Sequence, residues 1–169
     1  WDTSWAGVVF LVSAIAILFA LTRWAGQASI SHESGKLRWP LDPHALGYYW
    51  IAALPLAVLT YFGALSAAMF AAGETRPLPY LPLFNPVDLT LGLVLAVLAL
   101  WRRMITGADA PPVGSVWLRG RIPIVAGAVL AFIIANGIWL RAAHHWLGVG
   151  WDLGTLMDSF VVQTGLAIL

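Results

Sequence analysis

Of 169 residues, 60% are apolar and only 10% are charged, and the mean hydropathy is +0.83. A soluble domain sits at roughly 45–50% apolar and about 25% charged, so disorder, a coiled coil and a water-soluble globule are all excluded. A net charge of +1, with ten tryptophans against nine Lys plus Arg, excludes a nucleic-acid binder built on a basic patch, and the absence of cysteine excludes disulfides, thiolate nucleophiles and Cys-based metal centres.

A helix needs about 20 mainly apolar residues to cross the hydrocarbon core. Four segments qualify as complete spans: about residues 5–22, 48–72, 87–105 and 122–143. A fifth apolar run covers residues 153–169. The expected fold is therefore all-α, a polytopic transmembrane bundle of four complete spans plus a truncated fifth, in a single membrane-embedded domain. The start lacks a signal-peptide pattern and the end falls inside an apolar helix, so a piece of a larger polytopic protein is expected.

Charge distribution sets the expected orientation. The loop after span one carries Arg23, Lys36 and Arg38, and the loop after span three carries Arg102, Arg103, Arg119 and Arg121. Only Arg76 and Arg141 fall on the other side. This predicts an outside N-terminus and cytoplasmic loops at 23–47 and 102–121, in a bacterial inner membrane. Trp1, Trp5, Trp24, Tyr48, Tyr49, Trp50, Tyr80, Trp101, Trp117 and Trp146 cluster at span ends, as interfacial anchors do.

Lipid supplies no hydrophobic drive for helix association, so small residues at four-residue spacing are candidate contact stripes. They are Gly63 and Ala67, Gly92 and Ala96, and Gly127, Ala131 and Ala135. Pro55 predicts a kink in span two. Pro40 and Pro43 break the chain before span two, and Pro111 and Pro112 interrupt the 106–116 connection.

The outer loops carry the candidate chemistry. In residues 76–88, four prolines, Pro86 among them, stiffen the chain that carries Asn85 and Asp88. The ordinary reading is a helix cap: Asn85 at the N-cap, Pro86 at N1, Asp88 in the first turn. The functional reading is a polar rim facing an anion or a sugar. At the end of span four, Arg141, His144 and His145 share one sector about 100° wide, with Trp139 and Trp146 opposite. Gly148 suits a helix stop and Asp152 the N-cap of the fifth span.

The histidines admit three readings: interfacial groups bonded to water, backbone or Asp152; a catalytic base with Arg141 clamping a phosphate; or a metal or haem site. Adjacent histidines point about 100° apart, and His32 and His44 fall on the other side of the membrane, so no metal site is complete and no cofactor is expected. Deeper, Asn136, Asp158 and Gln163 interrupt apolar runs. Asp158 is costly unless paired, and Arg141 is its natural partner across a hairpin of spans four and five. Alternatively Asn136, Arg141 and Asp158 line a polar pocket. Phosphate-loop, Gly-x-Ser-x-Gly and His-Glu-x-x-His patterns are all absent.

The segments LPYLPLFNPVDL (78–89), WLRAAHHWLGVGWD (139–152) and VVQTGLA (161–167) resemble the bacterial polytopic membrane-protein family catalogued as domain of unknown function 2339. The resemblance runs over about residues 77–169; the earlier residues match only as generic membrane helices. It implies an envelope protein of many spans and supplies no reaction, cofactor or substrate. Members usually carry a small or neutral residue at the position of Asp158, which counts against a shared catalytic role there. The leading expectation is a non-enzymatic scaffold or accessory subunit of a membrane complex, with the bilayer and other membrane helices as partners. The first alternative is an outer-leaflet transferase or hydrolase acting on a lipid-linked substrate. There His144 or His145 is the base, Arg141 the clamp, and Asn85, Asp88 or Asp152 orient them. A second alternative is a transporter lined by Asn136, Arg141, Asp158 and Gln163.

Overall fold

A computed structural model describes residues 4–30, 47–108 and 112–168. Trp1, His32, Lys36, Arg38, Pro40, Pro43, His44 and Pro111 lie outside them. Among the described residues the chain is all-helical. Four long helices dominate: α1 (Trp5–Ile30), α2 (Ala53–Phe70), α3 (Pro86–Gly107) and α4 (Ile122–Leu147). Each is long and apolar enough to cross a membrane. Two short helices come after them, α5 (Leu153–Asp158) and α6 (Phe160–Ile168). The single fifth span expected from hydropathy is thus broken at Ser159, whose backbone is extended at φ −76°, ψ 115°.

The helices alternate in direction. Ser4 N–H donates to the Glu74 carbonyl (2.9 Å) and Trp5 Nε1 to that of Arg76 (3.0 Å), so α1 begins where α2 ends. At the other end Trp101 Nε1 donates to the Tyr49 carbonyl (3.0 Å), Trp101 stacks on Trp50 at 6.1 Å, and Arg102 Nε reaches the Leu118 carbonyl (2.9 Å). The up-and-down course therefore puts Arg23 and Arg102 at one end of the bundle, as the charge pattern requires.

Helix α2 is central, packing against α1, α3 and α4. Its buried side is a row of small residues, Ala53, Ala57, Thr60, Ala64 and Ala68. Small side chains let backbones approach, which is where packing gain arises once water is absent. Leu11, Leu18, Leu91, Val94 and Leu130 fill the space between helices. The kink expected at Pro55 takes another form. A π-helical turn, Gly47–Ala52, leads into α2. Proline donates no N–H and its ring crowds the carbonyl four residues back, and a wider turn accommodates both.

Of the three expected stripes, Gly63 meets α1: a Cβ there would lie 3.1 Å from Leu11 Cδ2. The other two face outward. Gly92 and Ala96 on α3 are exposed, and so are Ala131 and Ala135 on α4; Cβ atoms on Gly92 or Gly127 would meet nothing within 4 Å.

Candidate functional site

The polar residues of the 71–88 and 136–152 segments converge at the end of the bundle where α2 stops and α3 begins. Helix α3 starts as its sequence demands. Asn85 Oδ1 accepts from Val87 N–H (2.9 Å) with Pro86 next in line. The same amide reaches back, donating through Nδ2 to the Gly73 carbonyl (3.0 Å) and Thr75 Oγ1 (3.1 Å). One side chain thus caps α3 and ties it to the segment leaving α2.

Asp88 lies in the first turn of α3 and is 4% exposed. A carboxylate there is favoured by the helix N-terminus. Its Oδ1 takes Arg141 Nη2 at 2.8 Å and Nε at 3.0 Å. Its Oδ2 lies 3.2 Å from the Tyr80 hydroxyl and accepts from Leu83 N–H (3.3 Å), Leu83 holding an unusual left-handed φ of 69°. Burial, then the neighbouring Asp88 carboxylate, push the Tyr80 phenol above its ordinary pKa. Tyr80 therefore stays protonated, its one O–H shared between Asp88 and the Ile138 carbonyl at 3.3 Å.

Arg141 is 0% exposed. Its Nη1 donates to the carbonyls of Ala68 and Ala71, both at 3.4 Å. These belong to the C-terminal end of α2, where carbonyls lack helical partners and a cation is favoured. The guanidinium therefore bridges the negative end of α2 and the acidic first turn of α3. Two glycines make room for it. A Cβ on Gly137, one turn before Arg141, would lie 2.7 Å from the Ala68 carbonyl; one on Gly73, at φ +81°, would lie 2.8 Å from Arg141 Cδ. The partner expected from the sequence was Asp158. The structure corrects this: Asp158 is exposed on α5, and Arg141 is already satisfied by Asp88 on α3.

The histidines complete the seal. His145 Nε2 lies 2.9 Å from the Ala72 carbonyl, and His144 Nδ1 lies 2.6 Å from the Val149 carbonyl. A carbonyl only accepts, so each of these ring nitrogens carries the proton. His145 also stacks on Tyr80 (4.5 Å), and Trp146 Nε1 donates to the Tyr80 carbonyl (3.4 Å), so the proline-rich loop folds against the end of α4. Trp151 Nε1 covers the Phe70 carbonyl (3.3 Å). Gly148 ends α4 at φ 68°, as expected. Asp152 caps α5 through Thr155 N–H (2.9 Å) and also accepts from the Thr155 hydroxyl. Those bonds hold its carboxyl below the usual range.

Asp88, Asn85, Arg141, His144 and His145 are thus brought together, and Asp152 stands just beyond them. Asn136 is not part of the group: its Nδ2 donates to the Phe132 carbonyl (2.7 Å) of its own helix. Tyr80, Gly73 and Gly137 were missed as partners by sequence reasoning. The available signal was the four-residue spacing of Gly137 and Arg141, which leaves a gap beside a charge. Among the described residues no group of three or more potential ligands is placed to hold a metal ion.

A family model described as predicted membrane protein (DUF2339) matches residues 1–169. The chain belongs to this family. The match takes in the first 76 residues as well, beyond the portion where distinctive motifs stand. No curated protein and no solved structure matches the chain.

Proposed function

We propose that this chain is a non-enzymatic scaffold or accessory subunit of a membrane complex in the bacterial inner membrane. Its N-terminus lies outside and loops 23–47 and 102–121 are cytoplasmic. The observation that carries the reading is the outward direction of the α3 and α4 stripes. Gly92, Ala96, Ala131 and Ala135 are exposed, and a Cβ on Gly92 or Gly127 would meet nothing within 4 Å. Small residues bring little to a lipid-facing surface but permit close approach of another helix. Support also comes from the polar end. Arg141 is enclosed and committed to Asp88 and α2 carbonyls, so the clamp assigned to it in the enzyme reading is not exposed. Asn136 bonds within its own helix and Asp158 is exposed on α5, so neither is drawn to Arg141.

The test is site-specific photo-crosslinking in the native membrane. Probes at Ala96 and Ala131 are expected to capture discrete protein partners, whereas a probe at exposed Val58 on α2 captures only lipid. Lipid adducts at all three positions would contradict the proposal.

A further inference from the structure

A cleft of 880 Å³ runs between α1 and α2 at the Asp88–Arg141 end. Its floor and sides are apolar, formed by Val8, Leu11, Ala67 and Val87, with Phe10 and Phe70 exposed at its edges. Because Val8–Leu11 and Gly63–Phe70 lie on membrane-crossing helices, the apolar part of the cleft sits at acyl-chain depth. Its size falls in the range of small-molecule sites, about 300–1,000 Å³.

The polar end of this cleft has an uneven chemistry. Glu74, His144, Thr90 and Trp151 line it. No Lys or Arg does, since Arg141 is buried behind it. Among the described residues the Glu74 carboxylate makes no hydrogen bond or ion pair, and it is part-buried. His144 lines the same end, its Nδ1 held against the Val149 carbonyl (2.6 Å). Thr90 spends its hydroxyl proton on the Pro86 carbonyl (2.7 Å), so its oxygen also accepts. Trp151 offers an aromatic ring, to which cations are attracted. The described lining of this end thus includes a carboxylate and no Lys or Arg, with exposed Arg76 two residues along the chain from Glu74. A carboxylate in such a lining suits a compact donor of positive charge.

We propose that the cleft binds a membrane lipid with a primary ammonium headgroup, its acyl chain between α1 and α2 and its ammonium on Glu74, at the end that His144 and Thr90 also line. The proposal stands apart from the scaffold reading, because the outward stripes lie on α3 and α4. The test is native mass spectrometry of the protein in nanodiscs made from equal parts phosphatidylethanolamine and phosphatidylglycerol. The wild type should retain phosphatidylethanolamine about tenfold over phosphatidylglycerol, the scale of a charge-assisted hydrogen bond. Glu74→Gln should abolish that preference while leaving the thermal transition in place. Gly7→Phe, at a position whose Cβ would meet nothing within 4 Å, fills the cleft and should reduce retention of both lipids. Equal retention of the two lipids by the wild type, an ethanolamine preference that survives Glu74→Gln, or retention unchanged in Gly7→Phe would each overturn the proposal.

Discussion

Arg141 is the residue on which the polar end depends. A buried ion pair is tolerable only when both partners are fully engaged, and removing one leaves an uncompensated charge. Arg141→Leu strands Asp88 and is expected to lower stability by about 3–5 kcal/mol. Asp88→Asn keeps an acceptor but leaves the Arg141 guanidinium, which cannot shed its proton, buried without a counter-charge, so it too should lower stability. In a double-mutant cycle read by thermal unfolding in detergent, Arg141→Leu and Asp88→Asn should be strongly non-additive; additive losses would mean that the pair is not coupled. Gly137→Ala drives a methyl into the Ala68 carbonyl. Overpacking of this kind costs about 1–3 kcal/mol, and the same thermal measurement checks it.

The helix ends are where sequence logic held best. Asn85, Pro86 and Asp88 occupy the cap positions expected of them, and Asp152 caps α5. What local rules could not show is that Asp88 faces α4. Capping depends on neighbours in sequence, whereas the Arg141 pairing joins residues 53 positions apart. The contest between Asp88 and Asp158 for Arg141 was decided by α4 packing across the ends of α2 and α3. For the same reason a stripe of small residues announces close contact without saying with what: Gly63 meets α1, whereas Cβ atoms on Gly92 and Gly127 would meet nothing within 4 Å among the described residues. Asp152 yields a pH prediction. Its folded-state pKa is depressed by the side chain and then the backbone of Thr155. Its contribution is therefore complete above the usual carboxylate pKa of about 4 and fades as pH falls through the lower folded value. Helix content reporting on α5 should decline on that acid limb, and Asp152→Asn should remove the dependence.

At the scale of the whole molecule, hydropathy alone located four helices long and apolar enough to cross a membrane. The reading of function rests on what the bundle leaves uncovered. The α4 face bearing Ile122, Val125, Val129 and Phe132 is exposed, next to Gly127, Ala131 and Ala135. Gly127→Leu adds bulk into open space and replaces a poor helix former by a good one. It should leave the thermal transition unchanged or slightly raised while weakening any helix seated on that face. Native mass spectrometry of the assembly released gently from its own membrane tests this most directly. The account predicts a stoichiometric protein complex that dissociates in the Gly127→Leu variant, although the chain stays folded. A chain that leaves the membrane with lipids alone, or a complex indifferent to Gly127→Leu, would contradict it.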